Sequence, residues 1–280
     1  MKVVAFAGVD GCGKDTAAAE FVSRGFVRVG FADRIKRLAR EIYGFSEQQL
    51  FGSTRLREEP IGVRGSDPEY WFRAERATSG MCIEKWFPVT IDDGGLYSVA
   101  VTLMADLLAR SRAFGPSLTP RFVLRHLGTE VGRAVDPDNW VKLTVSDLRA
   151  IRDGASYTSS GGVGTGVTHG ELPCACGAQD GVVIPDLRFA NEAVALRGFA
   201  TSGEEIDPYA FWIDDSVRRP QPAGVAIHAS LPTRERFLSD GEDYMDGDLD
   251  NNGTLAEFEA AVSFLADSLN APRRAYGTSR

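Results

Sequence analysis

The sequence predicts an α/β fold in which a parallel sheet carries helices on both faces. Strand-like and helix-like segments alternate along most of the chain, and the first strand runs into a glycine-rich loop that opens a helix. At 280 residues, 43% hydrophobic and 25% charged, the chain can bury a full core without staples. This composition excludes a wholly disordered chain, a collagen-like chain and a disulfide scaffold. The four cysteines (Cys12, Cys82, Cys174 and Cys176) are scattered and read as reduced thiols.

The elements follow in order. Lys2 to Ala7 is a nearly continuous apolar run, as expected of a buried parallel strand. From Lys14 to Arg24 the pattern turns helical, with Ala17, Ala18, Phe21 and Val22 on one face. Phe26 to Phe31 reads as a second strand and Asp33 to Tyr43 as a helix, with Ser46 capping a short helix up to Phe51. Residues 52–95 have no regular period. Leu96 to Arg112 is helical, Thr119-Pro120 caps and opens a helix to about Val135, and Asp138 starts another to about Ile151. Residues 153–181 read as a flexible insertion or arm carrying a Gly-rich run and Cys174-Ala175-Cys176. Strands are expected at Gly181–Pro185, Ala210–Ile213 and near Val225–Ile227. Helices are expected from Phe189 to Arg197 and from Leu255 to Leu269, and 271–280 is a loose tail.

The net charge of −8 argues against coating duplex DNA through bulk charge but leaves room for a local basic pocket. No apolar run reaches bilayer length, and the first strand lacks the features of a signal peptide. A cytoplasmic protein is expected.

Gly8-Val9-Asp10-Gly11-Cys12-Gly13-Lys14-Asp15-Thr16 fits G-x-x-x-x-G-K between a strand and a helix. Glycines let backbone N–H groups point at phosphate oxygens, and the helix N-terminus adds its positive end. Gly8, Gly11, Cys12, Gly13, Lys14, Asp15 and Thr16 are therefore assigned to ATP, with Lys14 reaching the β and γ phosphates. Asp15 stands where a hydroxyl usually follows the lysine, so magnesium is assigned to Thr16 or Asp15.

The Lys14-Asp15-Thr16 run resembles the phage deoxynucleoside monophosphate kinases. Four further segments agree in order. They are Phe31-Ala32-Asp33-Arg34-Ile35-Lys36; Thr119-Pro120-Arg121 with Leu127-Gly128-Thr129-Glu130-Val131-Gly132-Arg133 and Asn139-Trp140-Val141; Val182 to Glu192, which carries D-x-R-F-x-N-E; and Asn252-Gly253-Thr254-Leu255. The resemblance covers most of 1–58, 117–152 and 181–270. It implies a P-loop kinase three-layer sandwich as a single domain over 1–270, with a helical substrate-binding or lid region at 44–118 and the Gly/Cys insertion at 153–181. It also implies a small nucleotide substrate. Two departures stand out: Arg125 replaces an amide, and Leu231 replaces a glutamate that often follows H-x-S, here His228-Ala229-Ser230.

Phosphoryl transfer needs positioning and charge neutralisation more than covalent help. Arg121, Arg125 and Arg188 are the candidate clamps, with Lys14 and Asp186 completing the catalytic set; Asp186 ends a buried strand. Asp33, Lys36, Arg133 and Trp140 join Arg121 and Arg125 as substrate residues, with Trp140 equally at home in the core. Arg218, Asn252 and Gly253 are placed near the adenine or phosphates of ATP. Arg34, Arg37 and Arg40 read as a solvated helix face.

Other readings stay open. A related kinase could phosphorylate a hydroxymethyl pyrimidine within phage DNA, for which modified DNA is the partner. Residues 248–259 fit the D-x-D-x-N-G calcium loop, so a nucleotide-responsive or calcium-binding module without kinase activity is a third reading. Cys174, Cys176 and His169 lack the usual zinc spacing. No membrane partner is expected, and a homodimer is left open.

Overall fold

The computed structural model describes residues 1–78, 86–87, 95–164, 181–218, 233–239 and 242–270. The fold is α/β. Five parallel strands form the central sheet: β1 (Lys2–Ala7), β2 (Val27–Arg28), β5 (Gly181–Leu187), β6 (Asp207–Asp214) and β9 (Gly247–Asp250), in the order β2-β5-β1-β6-β9. Two antiparallel hairpins lie outside it, β3 (Ser156–Thr158) with β4 (Gly162–Gly164) and β7 (Leu238–Ser239) with β8 (Glu242–Asp243).

Strand alternation builds the layers. Val3, Ala5 and Ala7 face one side of the sheet, against α9 (Asn139–Arg152) and α10 (Ala190–Thr201). Val4 and Phe6 face the other, against α1 (Lys14–Ser23) and α11 (Leu255–Asn270). Each face of the central strand is apolar, so helices must cover both. A third core joins α2 (Asp33–Tyr43), α3 (Glu47–Phe51), α5 (Pro68–Thr78), α6 (Gly95–Phe114) and α7 (Pro120–Arg125). The short α4 (Thr54–Glu58) follows α3. No helix among the described residues is long and apolar enough to cross a membrane.

Local signals act as their residues dictate. Ser46 and Gln49 form a reciprocal capping box at α3, and the Thr119 hydroxyl accepts from Phe122 N ahead of Pro120 at the start of α7. The helix predicted to run to Val135 changes pitch: His126–Gly132 is π-helical, and α8 (Arg133–Val135) closes it. The buried Trp140 indole donates to Gly128 O at 2.8 Å and lies over Gly132, where a Cβ would come within 2.3 Å of its ring. An indole inserted against the helix backbone accompanies the widened turn.

Three expectations need correction. The second strand is shorter than Phe26–Phe31, because the N–H groups of Gly30, Phe31 and Ala32 bond the Asp33 and Asp186 carboxylates instead of a neighbouring strand. Arg34, Arg37 and Arg40 are not a solvated face. Arg34 and Arg37 pair with the buried Asp147, while Arg37 and Arg40 bond Ser159 O and Ser160 O of the β3–β4 turn. Residues 248–250 belong to a strand beside β6: Asp248 pairs with Arg234, and Asp250 accepts from the Asn252 backbone and side chain. Among the described residues no cluster of three or more His, Cys, Asp or Glu could hold a metal ion. The Cys174, Cys176 and His169 segment, the 225–227 strand, the 228–231 run and the 271–280 tail lie outside the described residues.

Candidate nucleotide site

Every predicted site residue except Trp140, Arg121, Arg125 and Arg133 lies at the C-terminal ends of the parallel strands or in the segment that follows one, where open α/β sheets bind ligands. The glycine loop follows β1, Phe31–Lys36 follows β2, and Asp186–Arg188 closes β5. Arg218 follows β6, and Asn252 follows β9.

In the loop, Gly8, Gly11 and Gly13 all have positive φ, at 144°, 80° and 107°. At Gly8 a Cβ would lie 2.5 Å from Cys12 Sγ and 2.9 Å from Ile213 O; at Gly13 it would lie 2.8 Å from Asn251 Nδ2. The curl therefore needs glycine at both places. Among the described residues no side chain caps α1, so its N-terminal amides are left facing the loop. The buried Lys14 ammonium folds back and donates to Gly8 O and Val9 O, both at 2.6 Å, with Cys12 Sγ at 3.6 Å. Burial pushes the Cys12 thiol up, against the opposing pull of Lys14.

Asn251 is the loop residue that sequence reasoning missed. It is buried, and its Nδ2 donates to Cys12 O at 2.7 Å while Oδ1 accepts from Arg218 Nη1 at 3.5 Å. Its neighbour Asn252 accepts from Val217 N and Arg218 N, so the asparagine pair ties Arg218 to the loop. Gly253 leaves room for Glu257, which caps α11 through Thr254. In sequence Asn251 lies within the calcium-loop match, beside the Asn-Gly turn; only folding shows that it reaches 239 residues back.

Beside the loop lies a cavity of about 340 Å³. Six cationic side chains line it: Lys36, Arg57, Arg121, Arg125, Arg133 and Arg188, facing the carboxyl groups of Asp10, Asp186 and Glu192. Phe31, Ile35, Leu124, Trp140 and Phe189 supply its apolar wall. Arg57 is the second missed residue, since 52–95 has no period to mark it. Burial lowers its guanidinium below the usual range; Arg121 and Arg188 lower it further, against the opposing pull of Asp15 and Asp10. Three arginines thus stand together, with Asp10 and Glu58 as their acidic partners, and planar guanidinium forks of this kind suit an anion.

Apart from Arg125, each predicted cavity residue has a distinct holder. Arg188 is 3.5 Å from Asp10, and Arg121 pairs with Glu58 on α4. Arg133 stacks over Phe189 at 3.7 Å and donates to Asn191 Oδ1 at 3.0 Å. Arg125 is exposed on the cavity rim one turn beyond Arg121. Asp186 accepts from Phe31 N and Ala32 N at 2.9 and 3.0 Å; the strand bulge next to Pro185 accompanies this turn of the chain. Asp33 lies buried behind the wall and holds Lys36 at 3.5 Å; burial raises its acid, partly offset by Lys36. Trp140 is only 3% exposed, so it is a core residue that also forms part of the cavity wall.

Asp15 and Thr16 do not line the cavity. Asp15 is 81% exposed in the first turn of α1 and pairs with Arg28 at 2.6 Å. Thr16 lines a separate groove between α1 and α11 with Glu20, Glu259 and Ser263.

No family model matches the chain. Over 61 residues it is 34% identical to a protein of Acanthamoeba polyphaga mimivirus named "Putative deoxynucleotide monophosphate kinase". The match covers 21% of this chain and 32% of the mimivirus protein, so it spans about a third of that relative's length. The chain therefore has a weak and partial likeness to a nucleotide kinase, on an α/β fold whose parallel sheet is flanked by helices.

Proposed function

We propose that this protein transfers the γ-phosphoryl group of ATP to a deoxynucleoside 5′-monophosphate and releases the diphosphate. One observation carries the reading: a lysine-bearing glycine loop and a cavity with six cationic side chains meet at one end of the sheet, joined by the Asp10–Arg188 contact. The loop suits a polyphosphate donor, and the cavity suits an acceptor with a charged end and a flat apolar body.

The chemistry asks for positioning. An acceptor phosphate is largely ionised near neutral pH, with a second pKa of about 6, so no strong base is needed. Arg57, Arg121 and Arg188 would hold its oxygens and the transferring group in one crowded cluster, where planar forks bind bidentately. Lys14, released from Gly8 O and Val9 O, would turn to the donor phosphates. The donor set of the loop fits a triphosphate, with an uncapped helix start and three glycines of positive φ. Asp15, an exposed carboxylate beside Lys14, would hold magnesium on leaving Arg28. Magnesium, when bound, supplies further neutralisation of the β and γ phosphates.

The test is a transfer assay with labelled ATP, magnesium, the deoxynucleoside monophosphates and hydroxymethyl-pyrimidine DNA. Label in a free diphosphate, with Arg57→Ala raising the acceptor KM at least about tenfold, supports the reading. Label entering only the DNA replaces the acceptor. Folded protein that labels nothing overturns the proposal.

A further inference from the structure

The β3–β4 hairpin stands outside the central sheet, yet its side chains reach back under the cavity. Tyr157 Oη donates to Asp33 Oδ2 at 3.1 Å, deep in the protein. The same oxygen of Asp33 accepts from Gly30 N at 2.9 Å, and its other oxygen is 3.5 Å from the Lys36 ammonium, which lines the cavity. Arg37 fixes the tyrosine in turn, donating to Tyr157 Oη at 3.4 Å and to Ser159 O at 3.2 Å. Ser159 Oγ donates to Arg28 O at 3.4 Å, and Arg28 pairs with Asp15 on the loop helix. One hairpin thereby touches the supports of both the cavity and the glycine loop.

We propose that this hairpin is a strut for the acceptor half of the site, with Tyr157 a positioning residue that acts on Lys36 through Asp33. The inference rests on the reading of the cavity as the acceptor site. The chemistry has a single direction. A carboxylate can only accept, so Asp33 must be satisfied by donors from its surroundings, and Tyr157 supplies one that the local chain cannot. Burial raises the Tyr157 phenol well above its usual range, so the O–H donor persists through the working pH range. With Oδ2 held by Gly30 and Tyr157, Oδ1 is fixed facing Lys36. Without the hydroxyl, the carboxylate keeps Gly30 N and the Ser159 side chain but is held less firmly, and the Lys36 ammonium faces a looser partner.

Tyr157→Phe keeps the ring against the Arg37 guanidinium, 5.6 Å from its centroid, and leaves the Gly30 and Ser159 contacts in place. With the full-length protein and the acceptor it uses best, the variant is expected to raise the acceptor KM about tenfold. The kcat and the KM for ATP should stay within about twofold. In ligand-free protein, Lys36 should be acetylated several-fold faster by an amine-directed reagent, read by mass spectrometry. In an Asp33→Asn background, adding Tyr157→Phe should change neither quantity further. An unaltered acceptor KM with unaltered Lys36 reactivity overturns the strut, as does an undiminished effect in the Asp33→Asn background. If the wild-type protein phosphorylates nothing, the kinase reading fails separately, and the Lys36 rate alone decides the positioning claim.

Discussion

Replacing Glu192 by glutamine isolates the stability cost of one buried acid. Glu192 lies at the start of α10, where Oε2 accepts from Arg188 N at 2.7 Å and Phe189 N at 3.0 Å. Arg133 Nη1 is 4.0 Å from the other oxygen. Burial pushes the acid from 4.5 up to about 8, with Asp186 adding to the rise and the two N–H bonds and Arg133 opposing it. The folded state therefore keeps a proton that the unfolded chain loses. Stability from this group is fully present below pH 4.5 and is lost as pH rises towards 8. Each pH unit inside that window is worth about 1.4 kcal/mol, so roughly 3 kcal/mol has gone by neutral pH. Glutamine keeps the length, and its amide oxygen still accepts both N–H groups. Urea unfolding at several pH values between 5 and 8 should show the variant gaining on the wild type by about 1 kcal/mol per pH unit. Parallel stability curves for the two proteins would refute the argument, because other titrating groups are common to both.

Three other outcomes are expected. Lys14→Ala should lower transfer at least about a hundredfold while circular dichroism stays native; turnover equal to wild type would remove Lys14 from the mechanism. Asn251→Asp sets a carboxylate oxygen where an N–H now meets Cys12 O, so it should cost about 3 kcal/mol and weaken ATP binding. Unchanged unfolding and unchanged ATP titration would show that the loop does not depend on this brace. Gly132→Ala drives a methyl into the Trp140 ring, and the expected loss is about 2 kcal/mol after the gain in helix propensity. An altered near-ultraviolet tryptophan signal should accompany it, and an identical spectrum with full stability would contradict the packing described.

How much was legible follows from how far each signal reaches along the chain. The strand–glycine–lysine–helix run is contiguous over residues 2–23, so its continuous apolar stretch and glycines set both the central strand and the anion cradle without help from elsewhere. Ser46 with Gln49 and Thr119 with Pro120 are likewise local hydrogen-bond and φ preferences written into four residues or fewer. Arg121, Arg125, Arg133 and Arg188 carry a chemistry that is recognisable by residue type. That they share one cavity with Lys36 and Arg57 is a property of the packed helices. Arg57 had no periodic neighbours to mark it, and Asn251 was marked only as part of the calcium-loop match.

The sequence by itself determined the fold class, the glycine loop and the kinds of side chain at the strand ends, because these depend on periodicity and on short-range sterics. Tertiary structure alone decided that Gly-Asp-Leu-Asp at 247–250 is an edge strand, that Arg37 is buried, and that Tyr157 supports Asp33 across 124 residues. A polar group has many partners that would satisfy it equally well along an extended chain. Its choice is fixed only when the apolar faces close and bring one of them within hydrogen-bonding distance.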